Sequence, residues 1–387
     1  MYISRIELKN WKNFKYVDIA LQERAIIVGA NATGKSNFLD AFRFLRDIVQ
    51  PGGGLQAAIN DRGGVKKIRW LNARKNPVIS IGVELSEFGE KSCNWKYFLS
   101  FMQNPRGERD THIVKEEVWK NGVCILNRPD QEDKSDIKLL SQTYLEQISQ
   151  NKPFRELSGF FEDIHYFHLV PQLLRYPSAF SGPDLPSDPF GRAFLERIAK
   201  TPEKTRTNRL NAINTLLSKA VPQLKDLKFE KDEAGRPHLT AICEHWRPRA
   251  GIQNEQNFSD GTLRLIGLLW TLISESGVIL FEEPELSLHS EIIARLMSLI
   301  RQAQKSRKKK QFIITSHSEH LLSDESISLS EVVFFKPGKN GTECTLGSED
   351  EKSVKLFKAG LPLSDIVIPE TTPENINSFV QQLLPLN

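Results

Sequence analysis

Eight consecutive residues, Gly29 to Ser36, read GANATGKS. They fit the pattern GxxxxGK[ST], in which a glycine-containing turn and the positive end of the following helix hold phosphate oxygens on backbone N–H groups. In such a turn Lys35 reaches the terminal phosphates and the Ser36 hydroxyl is a ligand for Mg²⁺. Gly29 and Gly34 permit backbone paths that a Cβ would block. Asn31, Ala32 and Thr33 complete the turn and Asn37 follows it, so the stretch is a candidate ATP cradle. A second run, VILFEEPE from Val278 to Glu285, is apolar and ends in carboxylates. Glu282 suits the magnesium side of a phosphate site, and Glu283 suits a general base that polarises the attacking water. A third, FIITSH from Phe312 to His317, is another apolar strand whose terminal histidine could sense a terminal phosphate at the same sheet edge as Glu283. A fourth, FSDGTLR from Phe258 to Arg264, precedes an apolar helix. There Ser259, Asp260 and Gly261 offer a hydroxyl, a cap and backbone donors, a second anion-binding arrangement.

These residues need elements to aim them. Ile3, Ile6 and Leu8 mark a first strand, and Val17, Ile19 and Leu21 alternate in a second after the turn WKNFKY. Ala25 to Val28 is a short apolar run expected as a buried strand, and Phe38, Ala41, Phe42 and Leu45 follow with helical spacing. The glycine turn therefore lies between strand and helix, as phosphate binding requires. Residues 65 to 127 read as short strands, whereas 130–160 and 190–220 read as helical. The segment from His168 to Gly191 is punctuated by five prolines and is expected to be a loop. A hairpin is expected over Leu227–Trp246, turning near Asp232–Gly235. The order then runs helix, strand (Val278–Phe281), helix (289–304), strand (Phe312–Thr315), helix.

Composition removes several classes. At 387 residues, 39% hydrophobic and 26% charged, the chain suits a globular protein of two or three domains or one large core with an insertion. The stretch Leu265–Ile273 is far shorter than the ~18 apolar residues of a membrane span. The start, MYISRIELKNWKNF, carries charges where a signal peptide needs an apolar core, so a cytoplasmic location is expected. Four cysteines without a C-x-x-C pair argue against a disulfide framework or a cysteine-rich zinc site. A net charge of +4 neither requires nor excludes nucleic acid. The acid-free segment from Arg301 to Gln311 is either a solvated helix end or a phosphate-contacting patch.

In this order the four motifs resemble an ATP-binding-cassette (ABC) ATPase, and within that superfamily the RecF, SMC and OLD-nuclease branch. The opening YISRIELKNWKNFKYVDI resembles that branch's N-terminal strand, aromatic turn and strand. FSDGT resembles its signature motif, ILFEEPELSLH its Walker B and D-loop, and ITSHSEHLL its H-loop. The resemblance implies an α/β P-loop NTPase fold of ABC-ATPase type: a mixed β-sheet core flanked by helices, with a β-rich N-terminal lobe and a helical insertion. It implies an ATPase core over 1–50 and 255–345, an insertion over 51–254 and a C-terminal extension over 346–387. On this chain it makes Lys35 and Ser36 the phosphate and magnesium contacts. Glu282 becomes the metal-side carboxylate, where most cassette ATPases have Asp. Glu283 becomes the base, His317 the γ-phosphate switch, and Gln172 the Q-loop residue on the metal side. Ser259 and Gly261 would contact ATP bound by a second copy, so the resemblance implies a head-to-tail homodimer, open to larger assemblies.

The chain departs from its models in two ways. The long stretch between Ser36 and Ser259 holds no heptad arm, unlike an SMC protein. The stretch after His317 is too short for the TOPRIM module of OLD nucleases, so a separate effector protein is expected to supply any nuclease chemistry. These features point to a nucleotide-driven clamp or sensor in anti-phage defence. Two alternatives stay open: a DNA repair ATPase that grips DNA directly, and the nucleotide-binding subunit of a membrane transporter. No direct membrane partner is expected.

Overall fold

A computed structural model describes residues 1–73, 76–90, 92–104, 111–179, 188–244, 251–305 and 309–371. Among them, no helix is long and apolar enough to cross a membrane. The strand Arg24–Gly29 (β3) is buried at every position. So is Lys310–Ser316 (β13), and Gly277–Glu282 (β12) is buried over its middle four residues. Near-continuous apolar strands of this kind form parallel sheets covered on both faces. β3 pairs with β13 and β13 with β12, all parallel. β12 is joined on its far side by Ile164–Phe167 (β8). On the other side β3 is joined by Val332–Gly338 (β14), which turns back antiparallel into Gly341–Leu346 (β15). The order β15-β14-β3-β13-β12-β8 is a six-stranded mixed sheet.

Alternation along these strands feeds two cores. Ala25, Ile27, Val278, Leu280 and Ile313 face one core; Ile26, Val28, Ile279, Phe281, Phe312 and Ile314 face the other. The first core contains the helix Lys35–Val49 (α1), wedged between the mixed sheet and a second sheet. Phe38, Phe42, Phe44, Leu45 and Ile48 are fully buried along it, each worth roughly 1.5–3 kcal/mol of transfer free energy. Trp11 meets Phe44 edge-on at 5.2 Å and Phe38 meets Phe335 at 5.3 Å, so rings from both sheets grip this helix. The second core packs the other face against the helix Asp260–Ser274, which is apolar nearly all round because it lies inside the protein.

The second sheet is antiparallel, in the order β2-β1-β4-β5-β6-β7. Its strands are Tyr2–Trp11 (β1), Phe14–Ala20 (β2), Ile79–Ser86 (β4), Cys93–Gln103 (β5), Thr111–Lys120 (β6) and Val123–Arg128 (β7). β1 pairs with β4, so one continuous sheet spans the residue-50 division suggested by the sequence. Gln311, fully buried, ties this sheet to β13. Its side chain accepts from Ile3 N and donates to Ile3 O, both at 2.8 Å. A third, small sheet holds Leu224–Lys231 (β9), Pro237–Cys243 (β10) and Ile252–Asn254 (β11). β9 and β10 form the expected hairpin, its turn closed by Gly235 N donating to Asp232 O. Trp246 lies outside the described residues.

Four local expectations need correction. The helix expected over 289–304 is two, Ser290–Ile293 and Leu296–Gln304. Arg295 leaves helical geometry between them (φ −112°, ψ 0°) while its guanidinium takes the Glu291 carbonyl at 2.8 Å. Segment 130–160 holds only short pieces, including Gln131–Ser135, Ile137–Ser141 and Arg155–Glu162. There the buried Arg128 guanidinium takes the Leu139 and Gln142 carbonyls that a longer helix would use. The region expected as strands from residue 65 starts with a helical turn, Val65–Ile68. Finally, the proline-rich loop carries a short helix, Pro171–Arg175, with proline at its first position, where the missing N–H costs nothing.

Candidate functional site

The C-terminal ends of β3, β12 and β13 bring three of the motifs to one edge of the mixed sheet, where open α/β sheets bind ligands. After β3 the chain turns through Ala32 (φ 65°) and Gly34 (φ 93°) into α1. Gly34 is required twice: a Cβ there would sit 2.1 Å from Asn13 Nδ2, and the backbone is left-handed. At Gly29 a Cβ would meet the Phe335 carbonyl at 2.6 Å. The turn is braced from outside. Asn13 Nδ2 donates to Thr33 O at 2.9 Å and Thr342 Oγ1 at 2.6 Å, and its Oδ1 accepts from Asn37 Nδ2 at 2.9 Å. Thr342 also donates to Thr33 O at 2.7 Å. Asn31 and Ala32 are exposed at the tip.

Lys35 is buried and folds over its own turn, Nζ donating to Gly29 O at 2.8 Å and Ala30 O at 3.3 Å. Burial lowers its pKa, opposed by the charges of Glu283, Glu285 and Glu282. Its hydrogen-bond acceptors are neutral carbonyls, so an anion beside it would be well matched. Ser36 donates to Glu282 Oε1, and Tyr166 of β8 donates to Oε2 of the same carboxylate. Burial first, then the Glu282 charge, pushes the Tyr166 phenol far above its usual pKa, so it acts as a donor. His168 Nδ1 lies 3.2 Å from Glu282 O.

Glu283 adopts a left-handed backbone (φ 45°), uncommon without glycine and often found where a side chain must be re-aimed. Its N–H is shared between Thr315 O at 3.1 Å and Thr315 Oγ1 at 3.2 Å. Its Oε1 lies 3.2 Å from Nδ1 of the exposed His317. Base candidate and sensor candidate are therefore adjacent. Below them Glu285 is almost fully buried, accepting from Ser316 Oγ at 2.6 Å and His317 N at 3.4 Å, while its Oε2 has no partner. Burial raises its pKa.

The FSDGT segment lies beside the acidic strand end: in the helix that it opens, Arg264 Nη1 donates to Glu283 O at 3.5 Å. Ser259 caps the helix Asp260–Ser274, its hydroxyl accepting from Thr262 N at 3.2 Å, and it is exposed. A Cβ on Gly261 would strike the Ser287 carbonyl at 2.5 Å, so this helix tip rests on the chain just after Glu285. Asp260 is held by Arg175 at 2.6 Å and by Gln172 Nε2 at 3.0 Å. Gln172, expected on the metal side, is thus bonded to this segment rather than to Ser36 or Glu282. Its position in the short helix Pro171–Arg175 turns the amide toward Asp260.

The donor set suits ATP with Mg²⁺. A glycine cradle, a buried ammonium and a helix start suit phosphates. Ser36 and Glu282 present two adjacent oxygens, few enough for an ion that keeps phosphate and water in its remaining positions. Sequence reading missed Asn13, Tyr166 and Thr342, and placed Glu285 only at the start of the D-loop. Asn13 sits in the aromatic turn already noted and Glu285 in the EEPE run, but nothing local singles out Tyr166 or Thr342.

A family model described as "AAA domain, putative AbiEii toxin, Type IV TA system" matches residues 24–323. Among curated proteins, the DNA replication and repair protein RecF of Bacillus mycoides (strain KBAB4) is 28% identical over 102 residues, 24% of this chain and 25% of RecF. Endonuclease GajA of Bacillus cereus (strain VD045) is 49% identical over 47 residues, 12% of this chain and 8% of GajA. The chain thus matches a quarter or less of these relatives' lengths. Among solved structures, an SMC head bound to the C-winged helix domain of ScpA superposes with a TM-score of 0.53 at 16% identity, covering 89% of this chain and 98% of that one. At that identity the likeness establishes the fold alone.

Proposed function

Since the chain belongs to this AAA-domain family and is an ABC-type ATPase of the RecF, SMC and OLD branch, we propose that it hydrolyses ATP between two copies arranged head to tail. Residues 29–37 and Lys35 hold the triphosphate of one copy. Ser36 and Glu282 hold Mg²⁺, which when bound would neutralise phosphate charge. Glu283 takes the proton of the attacking water, and His317, 3.2 Å from it, orients that carboxylate and answers to the terminal phosphate. Ser259 and Gly261 of the second copy complete the site with a hydroxyl and backbone donors.

One observation carries the two-copy reading: Ser259, at the tip of a helix eleven of whose fifteen residues are buried, is itself exposed. An exposed hydroxyl at a helix start, on a chain whose phosphate turn is built elsewhere, is suited to an anion held by another molecule. ATP would favour the closed pair and turnover would release it, because only the triphosphate offers the γ-phosphate contacts. Such a cycle serves a clamp or sensor in a defence setting that works with a separate effector, and the short match to an endonuclease favours nuclease-linked work over a transporter. The RecF match supports a second reading, direct DNA gripping, which salt-sensitive, ATP-dependent DNA binding without any effector would favour.

The test is Glu283→Gln, which keeps the side chain's shape and removes its basicity. With ATP and Mg²⁺ it should bind nucleotide, hydrolyse it slowly and run as a dimer in light scattering. Unchanged turnover would remove Glu283 from its role, and a monomer with ATP bound would remove the pairing.

A further inference from the structure

Glu282 has a holder outside every motif. Tyr166 lies in β8, in register with Leu280 of the neighbouring β12, two residues before Glu282. Its phenol donates to Glu282 Oε2 while the Ser36 hydroxyl donates to Oε1. The ring is buried, and the Arg43 guanidinium of α1 covers it 4.4 Å from the centroid. Arg43 is itself drawn toward Asp40 at 3.8 Å. The phenol is thus fixed by its strand on one side and by the helix behind the phosphate turn on the other.

We infer that Tyr166 is a positioning residue for the divalent-cation site, aiming the glutamate whose opposite oxygen meets Ser36. This rests on the proposed role of Glu282. A glutamate has one more rotatable bond than the aspartate usual at this position, and ordering it costs additional rotamer freedom. A hydrogen bond to the oxygen that faces away from Ser36 removes that freedom before the cation arrives. Outer partners of this kind orient the ligand and raise its affinity without touching the ion.

The test uses the full chain with Tyr166→Phe, which keeps the ring and Arg43's stacking surface and deletes only the hydroxyl. Mn²⁺ affinity is read by electron paramagnetic resonance in the presence of a non-hydrolysable ATP analogue, beside the Mg²⁺ dependence of turnover. The expected result is Mn²⁺ binding weakened about tenfold, with metal-free nucleotide binding unchanged. In a Glu282→Asp background the shorter carboxylate no longer reaches the phenol, so adding Tyr166→Phe should change Mn²⁺ affinity no further. An unchanged affinity in Tyr166→Phe, with a weakened one in Glu282→Gln, overturns the inference and leaves the role of Glu282 standing. If Glu282→Gln also binds Mn²⁺ normally, the underlying role falls instead. An equal loss from Tyr166→Phe in both backgrounds would mean that the hydroxyl acts on the fold and not on the carboxylate, and would likewise overturn the inference.

Discussion

Asn13→Ala should weaken nucleotide binding although Asn13 belongs to no phosphate motif. Three hydrogen bonds are lost: to Thr33 O, to Thr342 Oγ1 and from Asn37 Nδ2. Each is worth about 0.5–1.5 kcal/mol net. Thr33 O keeps the Thr342 hydroxyl at 2.7 Å, so one acceptor stays satisfied. The summed loss should then be about 2 kcal/mol. At the lower end of the per-kcal sensitivity of large domains, that is a fall in Tm of roughly 4 °C. If nucleotide must reorder a loosened turn, the same free energy appears as a Kd for a fluorescent ATP analogue raised about ten- to thirtyfold. Asn13→Asp should be worse, because it sets a carboxylate where an amide N–H now faces the Thr33 carbonyl. Thermal melting and analogue titration measure both effects. An unchanged Tm and Kd in Asn13→Ala, or parent-like binding in Asn13→Asp, would refute the brace.

Two further outcomes follow from close packing and burial. Gly261→Ala puts a methyl 2.5 Å from the Ser287 carbonyl, so the helix tip must shift; ATP-dependent dimerisation should fail while nucleotide binding by single copies persists, and a normal dimer would count against that contact. Burial raises the Glu285 pKa, so its neutral form contributes stability at low pH that is lost as pH rises through the raised value. Glu285→Gln does not titrate, and its Tm relative to the parent should climb as pH rises above the ordinary glutamate range; a constant difference would contradict the assignment of a perturbed carboxyl.

The phosphate turn, the acidic strand end and the histidine strand end were legible because each is a contiguous run whose residue types state its chemistry. The strands carrying them were legible for a related reason: parallel core strands carry short continuous apolar runs, such as Ala25–Val28, Val278–Phe281 and Phe312–Ile314. What the sequence concealed depends on contacts distant along the chain. Thr342 reaches Thr33 across 309 positions, and Tyr166 reaches Glu282 across 116. β14 and β15 close the sheet beside β3, yet only the run Val332–Phe335 hints at them. The bond from Gln172 to Asp260 was not legible because it is decided by how the Pro171–Arg175 helix faces Asp260, which spacing cannot convey. The broken helix at Arg295 has a local origin instead, a side chain competing for the backbone carbonyl of Glu291, four residues back.

The central claim is that one catalytic site is assembled from two copies, and complementation tests it most directly. Lys35→Ala disables the cradle and Ser259→Arg blocks the opposing helix tip, so each variant alone should be inactive. Mixed one to one, half of the pairs join one copy of each kind and contain a single intact site. The account predicts recovery of about a quarter of the parent ATPase rate. A mixture as inactive as its components, or full activity in Ser259→Arg alone, would contradict it.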